Sequence, residues 1–311
     1  MGKEKMKITV TGSHGYLGST LVPMLLAEGH HVTCLDHLVF GQHVLGEHAS
    51  NTRFEAHRVD VRDIRNVRSH LKGADVVIPL AGLVGAPICN QNPIDAELLN
   101  VTATKALVES LSPEQLIIFP STESVYGRQA ELCDENTPAA PLVSYGVQKL
   151  AIEAVLEGRP NSISFRMATL FGLSPRMRLD LLVNDFTWRA LKDRALVVFE
   201  AHAMRTCLHV ADAARAFLHC LPMRPERHEV YNIGSVVVSK LGLCEAIKRQ
   251  LPEFFYVEAQ FATDPDARNY VVSDAKIRAT GYAPTMTLDA AISELLRGYR
   301  MLSNNRHSNV Q

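Results

Sequence analysis

The chain of 311 residues carries a tyrosine and a lysine four positions apart, in Tyr145-Gly146-Val147-Gln148-Lys149. On a helix, residues at i and i+4 share one face. A free phenol has a pKa of about 10 and is no base at neutral pH. A lysine ammonium nearby favours the phenolate, which can then take a proton from an alcohol. In isolation the same spacing also describes an ordinary surface pair.

A second arrangement lies near the N terminus. Ile8-Thr9-Val10 runs into Thr11-Gly12-Ser13-His14-Gly15-Tyr16-Leu17-Gly18. A strand, a tight turn and a helix start put N–H groups and the positive helix end where a pyrophosphate sits. Glycine permits the sharp turn, the close approach to phosphate and the packing of helix on strand. Gly12, His14, Gly15, Tyr16, Leu17 and Gly18 are therefore candidate cofactor residues. The next strand ends in Asp36, followed by His37. An acid there accepts from ribose hydroxyls and repels a 2′-phosphate, which favours NAD over NADP. A glycine triplet alone marks many strand–helix turns, and Asp36 alone also suits a turn or a cap. Together they predict NAD as the cofactor. Its positive nicotinamide ring would reinforce the effect of Lys149 on Tyr145, and Lys149 could reach the nicotinamide ribose.

The elements around these residues alternate. Strands are expected at Ile8–Val10, His31–Leu35, Arg53–Val59, Ala74–Leu80, Gln115–Pro120 and Ser162–Met167. Helices are expected at Tyr16–Glu28, Asp95–Leu111 and Tyr145–Leu156. Such alternation implies right-handed crossovers and a parallel sheet covered on both faces. The second half is less regular. It holds a loop at Gly172–Arg178, helices near Leu179–Leu191, Leu241–Gln250 and Leu288–Met301, and strands at Leu208–Val210 and Val230–Ile233. The fold class read from this is α/β: a Rossmann-type doubly wound parallel sheet with a smaller mixed α/β substrate lobe. The boundaries expected are 1–170 for the dinucleotide domain, with segments near 205–233 returning to it, 171–302 for the lobe and 303–311 for a frayed tail.

Composition narrows the partners. Net charge is −1 and charged residues make up 21 %, so neither nucleic acid nor a membrane surface is an expected partner. Basic residues do cluster at Arg176, Arg178, Arg189, Lys192, Arg194 and Arg205, where a solvated basic face is the plainer reading. The six cysteines have irregular spacing and no C-x-x-C, the pattern of reduced thiols in a cytoplasmic protein. No His or Cys spacing suggests a metal site. No apolar run has signal-peptide or membrane-span length.

The G-x-x-G-x-x-G spacing together with Y-x-x-x-K resembles the extended short-chain dehydrogenase/reductases, the NAD-dependent epimerase/dehydratase family of nucleotide-sugar enzymes. Asp60-Val61 resembles the family's adenine-contacting pair. Leu80-Ala81-Gly82 is similar to its strand-four motif beside the cofactor, and Asn100 stands where the family has a structural asparagine. Ser121-Thr122-Glu123-Ser124-Val125-Tyr126-Gly127 resembles its S-S/T-x-x-V-Y-G segment. The resemblance implies that Thr122 bonds the reacting sugar oxygen, that Tyr145 is the base and that Lys149 supports it. Dehydratases need an acid–base pair directly after the threonine. Here Glu123 is present and Ser124 replaces the second member, which argues against dehydration.

Arg205-Thr206-Cys207-Leu208-His209-Val210-Ala211-Asp212 looks like the family's R-x-x-x-H-V-x-D stretch, whose arginine holds the substrate diphosphate. Asn184 resembles an asparagine beside that diphosphate. Arg178, Arg268 and Glu123 are further substrate candidates. For Asn184, Arg205 and Arg268 a structural or surface role remains open. Pro79–Pro87, Ser174–Ala190 and Asp264–Gly281 resemble a branch that includes GDP-heptose 4-dehydrogenases. Val84 stands where UDP-galactose-type epimerases carry lysine. The resemblance therefore implies oxidation of C4 on a nucleotide-diphosphate sugar, foremost a GDP-heptose, and a homodimer. In that dimer the stripes Leu98, Leu99, Ala106, Leu107 and Val147, Leu150, Ala151, Ala154 would form an intersubunit bundle; they would equally suit packing on the sheet. A 4-epimerase passing through the same ketone is the alternative, and a non-catalytic NAD sensor is a second one.

Overall fold

The computed structural model describes residues 4–41, 43–129, 132–259, 271–302 and 309. The strands are β1 (Lys7–Thr11), β2 (His31–Asp36), β3 (Phe54–Arg58), β4 (Val76–Pro79), β5 (Leu116–Thr122), β6 (Ser162–Met167), β7 (Thr169–Phe171), β8 (Ala195–Phe199), β9 (Met204–His209), β10 (Glu229–Ile233), β11 (Val236–Ser239) and β12 (Phe255–Ala259). Between them run α1 (Gly18–Ala27), α2 (Ile64–Leu71), α3 (Ala86–Gln91), α4 (Pro93–Glu97), α5 (Thr104–Glu109), α6 (Ser144–Leu156), α7 (Leu182–Lys192), α8 (Val210–Cys220), α9 (Lys240–Gln250), α10 (Ala275–Arg278) and α11 (Leu288–Tyr299).

Seven strands form one parallel sheet in the order β10-β6-β5-β4-β1-β2-β3. Its central strands are apolar on both faces, as a sheet covered by helices on both sides requires. In β4 the alternation divides one strand between two cores. Val76 and Ile78 join the cluster with α1 and α8, while Val77 joins the cluster with α2, α5 and α6. Each such side chain contributes about 1.5–3 kcal/mol through burial. The strand order reverses between β1 and β4, and their carboxyl ends open a crevice at that point.

After β6 the chain leaves the large sheet. β7 and β9 do build the small lobe, in a three-stranded sheet with β11, and β8 pairs with β12. The chain then returns, because α8 packs on α1 and β10 extends the large sheet beside β6. Val210, expected to end a strand, starts α8 instead, whose N terminus is capped by the His209 side chain. The helix expected over 95–111 is also not uniform. Leu98–Ala103 is π-helical, between α4 and α5. Of the expected tail, only residue 309 is described.

A buried polar network joins β5, β6 and α6. Ser121 and Arg166 are register partners on β5 and β6. The Ser121 hydroxyl donates to Glu153 on α6. Arg166 forks onto the same carboxylate at 2.8 and 3.1 Å and donates to the Tyr126 hydroxyl at 3.0 Å. Tyr126 in turn donates to Asn232 of β10 at 2.6 Å. Glu153 and Arg166 are 4 and 7 % exposed, so removing one leaves the other charged and buried. Glu153→Ala is expected to cost about 3–5 kcal/mol in urea unfolding. Glu153→Met with Arg166→Met should recover much of that loss; a double variant as unstable as the single would show that packing, not charge, is at stake.

Candidate active site

The glycine turn is shaped by contacts that exclude side chains. Gly12 has φ +66°, and a Cβ there would stand 2.6 Å from the Ala81 nitrogen at the end of β4. A Cβ on Gly18 would stand 2.6 Å from the Gly12 and Ser13 carbonyl oxygens. Both glycines therefore serve the packing of turn, strand and helix. Gly15 is less confined, with Gly12 O at 3.1 Å from such a Cβ, and it faces the crevice wall.

Asp36 closes the turn. Its Oδ2 accepts from His14 N at 2.9 Å and its Oδ1 from Leu38 N at 2.8 Å. A carboxylate offers roughly four acceptor sites, so two remain for ribose hydroxyls. Asp60 is held by Arg62 at 2.6 Å, and that guanidinium keeps its carboxyl below the usual range. His37 stands 3.7 Å from Asp60. At the end of β4, Ala81 N donates to the Thr11 hydroxyl. A Cβ on Gly82 would meet Asn100 Oδ1 at 2.5 Å. Asn100 sits in the π-helical turn, a feature often found at functional sites. It accepts from Leu83 N and donates to Leu83 O and to Gln148 of α6, each at 2.9 Å.

Gly12, His14, Gly15, Gly18, Asp36, His37, Asp60, Ala81 and Gly82 line one cleft, and so do Val61, Leu80, Tyr16, Leu17 and Arg178. Tyr145 and Lys149 line the same cleft from α6. Lys149 Nζ lies 5.8 Å from the Tyr145 ring centre and 4.8 Å from that of Phe119. Burial pushes the Lys149 ammonium down to about 8, against the opposing pull of Cys89 and Glu153. A phenol and a buried cation thus meet at one end, and an acid and a glycine turn at the other.

Four expected substrate residues are placed differently. Thr122 is not among the cleft-lining residues. Its hydroxyl accepts from Ser124 N and donates to Ser124 Oγ, both at 3.2 Å, capping the short turn Glu123–Tyr126. Glu123 is buried inside that turn and also lies off the cleft. Asn184 is fully buried, and both its N–H groups are used, by the Tyr16 hydroxyl and by Arg178 O. It has no donor left for a diphosphate; it ties lobe to turn instead. Arg205 is buried on β9, donates to Met204 O and does not line this cleft. Arg268 lies outside the described residues.

Sequence reasoning missed other cleft residues. Arg62, Phe40 and Arg176 line it. Arg176 was one of six clustered basic residues, and charge alone did not separate it from Arg178. Asp180 was the available signal: two residues beyond Arg178, it forks onto that guanidinium at 2.5 and 3.2 Å.

Comparison with known proteins agrees with this geometry. Residues 8–234 match the model of the NAD dependent epimerase/dehydratase family. A UDP-glucose 4-epimerase of Halalkalibacterium halodurans is 34 % identical over 259 residues, 74 % of this chain and 75 % of that one. A dTDP-glucose 4,6-dehydratase of Streptomyces niveus is 27 % identical, covering 95 % of this chain and 93 % of the other. Among solved structures, a UDP-glucuronic acid 4-epimerase from Bacillus cereus, in complex with UDP-glucuronic acid and NAD, superposes with a TM-score of 0.85 at 23 % identity. That match covers 95 % of this chain and 99 % of that one. The chain therefore belongs to the NAD dependent epimerase/dehydratase family, whose model it matches from β1 to just past β10.

Proposed function

We propose that the protein is an NAD-dependent nucleotide-sugar 4-epimerase. In this reading it oxidises the C4 hydroxyl of a nucleotide-diphosphate sugar and reduces the resulting ketone on its other face. The observation that carries it is the buried Tyr145–Lys149 pair, set on one cleft with the glycine turn and Asp36. When bound, NAD supplies the hydride acceptor. The turn around Gly12–Gly18 would hold its diphosphate, and Asp36 its ribose. Tyr145 Oη takes the hydroxyl proton and keeps it until it is returned to the reduced oxygen. Lys149 sets positive charge beside that phenol. The shell of Pro120, Met167 and Leu170 lines the same cleft and limits water around the reacting carbon.

The relatives' names favour epimerisation over release of the ketone. Release of a 4-keto product from a GDP-heptose rests on the resemblance of sequence segments, and it is the outcome the assay must separate. The protein is further read as a cytoplasmic homodimer. All six cysteines are free and buried, which fits a reducing compartment. No helix among the described residues is long and apolar enough to cross a membrane. Leu98 and Val147 leave apolar side chains 40 and 53 % exposed on neighbouring helices, as a self-complementary contact requires. Leu107, from the same expected stripe, packs inside instead.

The test is incubation with UDP-, dTDP- and GDP-sugars, GDP-heptose included, followed by mass spectrometry and NMR. Unchanged mass with C4 inverted supports the epimerase. A product two mass units lighter makes the protein a dehydrogenase, and NAD binding without turnover of any sugar makes it a sensor. Tyr145→Phe should lower kcat by about 10²–10⁴ while NAD affinity stays within about twofold. Lys149→Met should also abolish turnover, yet stabilise the ligand-free protein at pH 7 by on the order of 2 kcal/mol. The folded chain releases this proton near pH 8 and the unfolded chain near 10.5. Between those values the unfolded state binds more protons, so wild-type stability rises with pH and the advantage of the variant fades. Urea titrations from pH 7 to 10.5 read it; an advantage independent of pH would mean that packing, not charge, is responsible.

A further inference from the structure

The loop between β7 and α7 carries a buried cation that the reaction does not account for. Arg176 is 2 % exposed and lines the cofactor cleft. Its Nε has no hydrogen-bond partner, and no carboxylate among the described residues lies within ion-pair distance. Arg178, two residues on, is neutralised by Asp180. Arg176 is not, and burial together with Arg178 pushes its guanidinium down to about 10. It is still charged at neutral pH.

Its neighbours fix where that charge lies. Arg176 N donates to the Ser19 hydroxyl at 3.3 Å, in the first turn of α1. Its guanidinium stacks at 4.0 Å on the ring of Phe40, four residues beyond Asp36. It therefore sits between the start of α1, where backbone N–H groups and the helix dipole favour an anion, and the loop after β2. An uncompensated buried charge is costly to the ligand-free fold. A diphosphate removes that cost, because the guanidinium fork matches phosphate oxygens.

We propose that Arg176 binds the diphosphate of the dinucleotide from the small-lobe side, opposite the glycine turn, with Phe40 as the shelf that aims it. The assignment rests on the NAD reading above. It favours the cofactor's diphosphate over the sugar nucleotide's because Ser19 and Phe40 belong to the α1 and β2 side of the cleft.

The experiment uses the full chain stripped of nucleotide, titrated calorimetrically with ADP-ribose, which carries the diphosphate, and with adenosine, which lacks it. Arg176→Met should weaken ADP-ribose by about ten- to a hundredfold and leave adenosine unchanged. Arg176→Lys should fall between, since it keeps charge and loses the fork. The ligand-free Arg176→Met protein should melt no lower than wild type. Equal loss for both ligands would make the residue structural and overturn the proposal. So would no loss for ADP-ribose, or a loss confined to a UDP-sugar titrated in parallel. A wild-type protein that binds neither NAD nor ADP-ribose would overturn the cofactor reading itself, and this assignment with it.

Discussion

The Glu153–Arg166 ion pair is the constraint on which the reacting end of the cleft depends. Tyr145, Lys149 and Glu153 follow one another at four-residue spacing on α6, so they share a face. Anchoring the third fixes the rotation of the first two. The anchor reaches both central strands, because Ser121 of β5 and Arg166 of β6 converge on the same carboxylate. A second hold comes from Gln148, bonded to Asn100 and through it to the loop after β4. Apolar packing of Ile152 and Leu156 would also seat α6 on the sheet, but grease tolerates small rotations. A forked ion pair with a third donor does not, and direction is what the proton acceptor proposed at Tyr145 needs.

The cleft itself is electrostatically unfinished. Lys149 and Arg176 are both buried cations, and desolvation lowers both. Neither has a carboxylate within ion-pair distance among the described residues. Two other buried arginines are neutralised: Glu153 answers Arg166 and Asp180 answers Arg178. Lys149 and Arg176 both line the cleft proposed to take NAD, which brings negative and electron-rich groups. Such local conflicts are the mark of a functional site in an otherwise consistent fold, and they trade stability for binding.

How much of this was visible in the residues differs by element. β4 and β5 were legible because strands buried on both faces read as unbroken apolar runs. The helix carrying Tyr145 was legible to within one residue of its start. β8 and β12 were not, although β8 alternates buried and exposed side chains. Each is a short edge whose register partner lies 60 residues away, and no local pattern announces that pairing. The candidates at the cofactor end fall together on one cleft because strand, turn and acid lie close in sequence. Of the substrate-end candidates, Arg178 lines it while Thr122, Glu123, Asn184 and Arg205 do not, because a polar residue type does not disclose its partner.

Asn184 shows what that difference means physically. Its amide was expected to face a diphosphate. Instead it accepts from Gly172 N and donates to the Tyr16 hydroxyl, which itself donates to Gly172 O at 2.6 Å. Gly172 must be glycine, since its φ is +109° and a Cβ would stand 2.2 Å from His209 Nε2. Three residues from the glycine turn, β7's end and α7 thus close one buried ring. Ser174, bonded to Tyr16 O and to the Ser19 hydroxyl, continues it along the loop. The ring delivers Arg176 to the start of α1 and sets the spacing between the two walls of the cleft. An amide consumed in this way holds the loop that carries Arg176, so the contact proposed there with the cofactor depends on it.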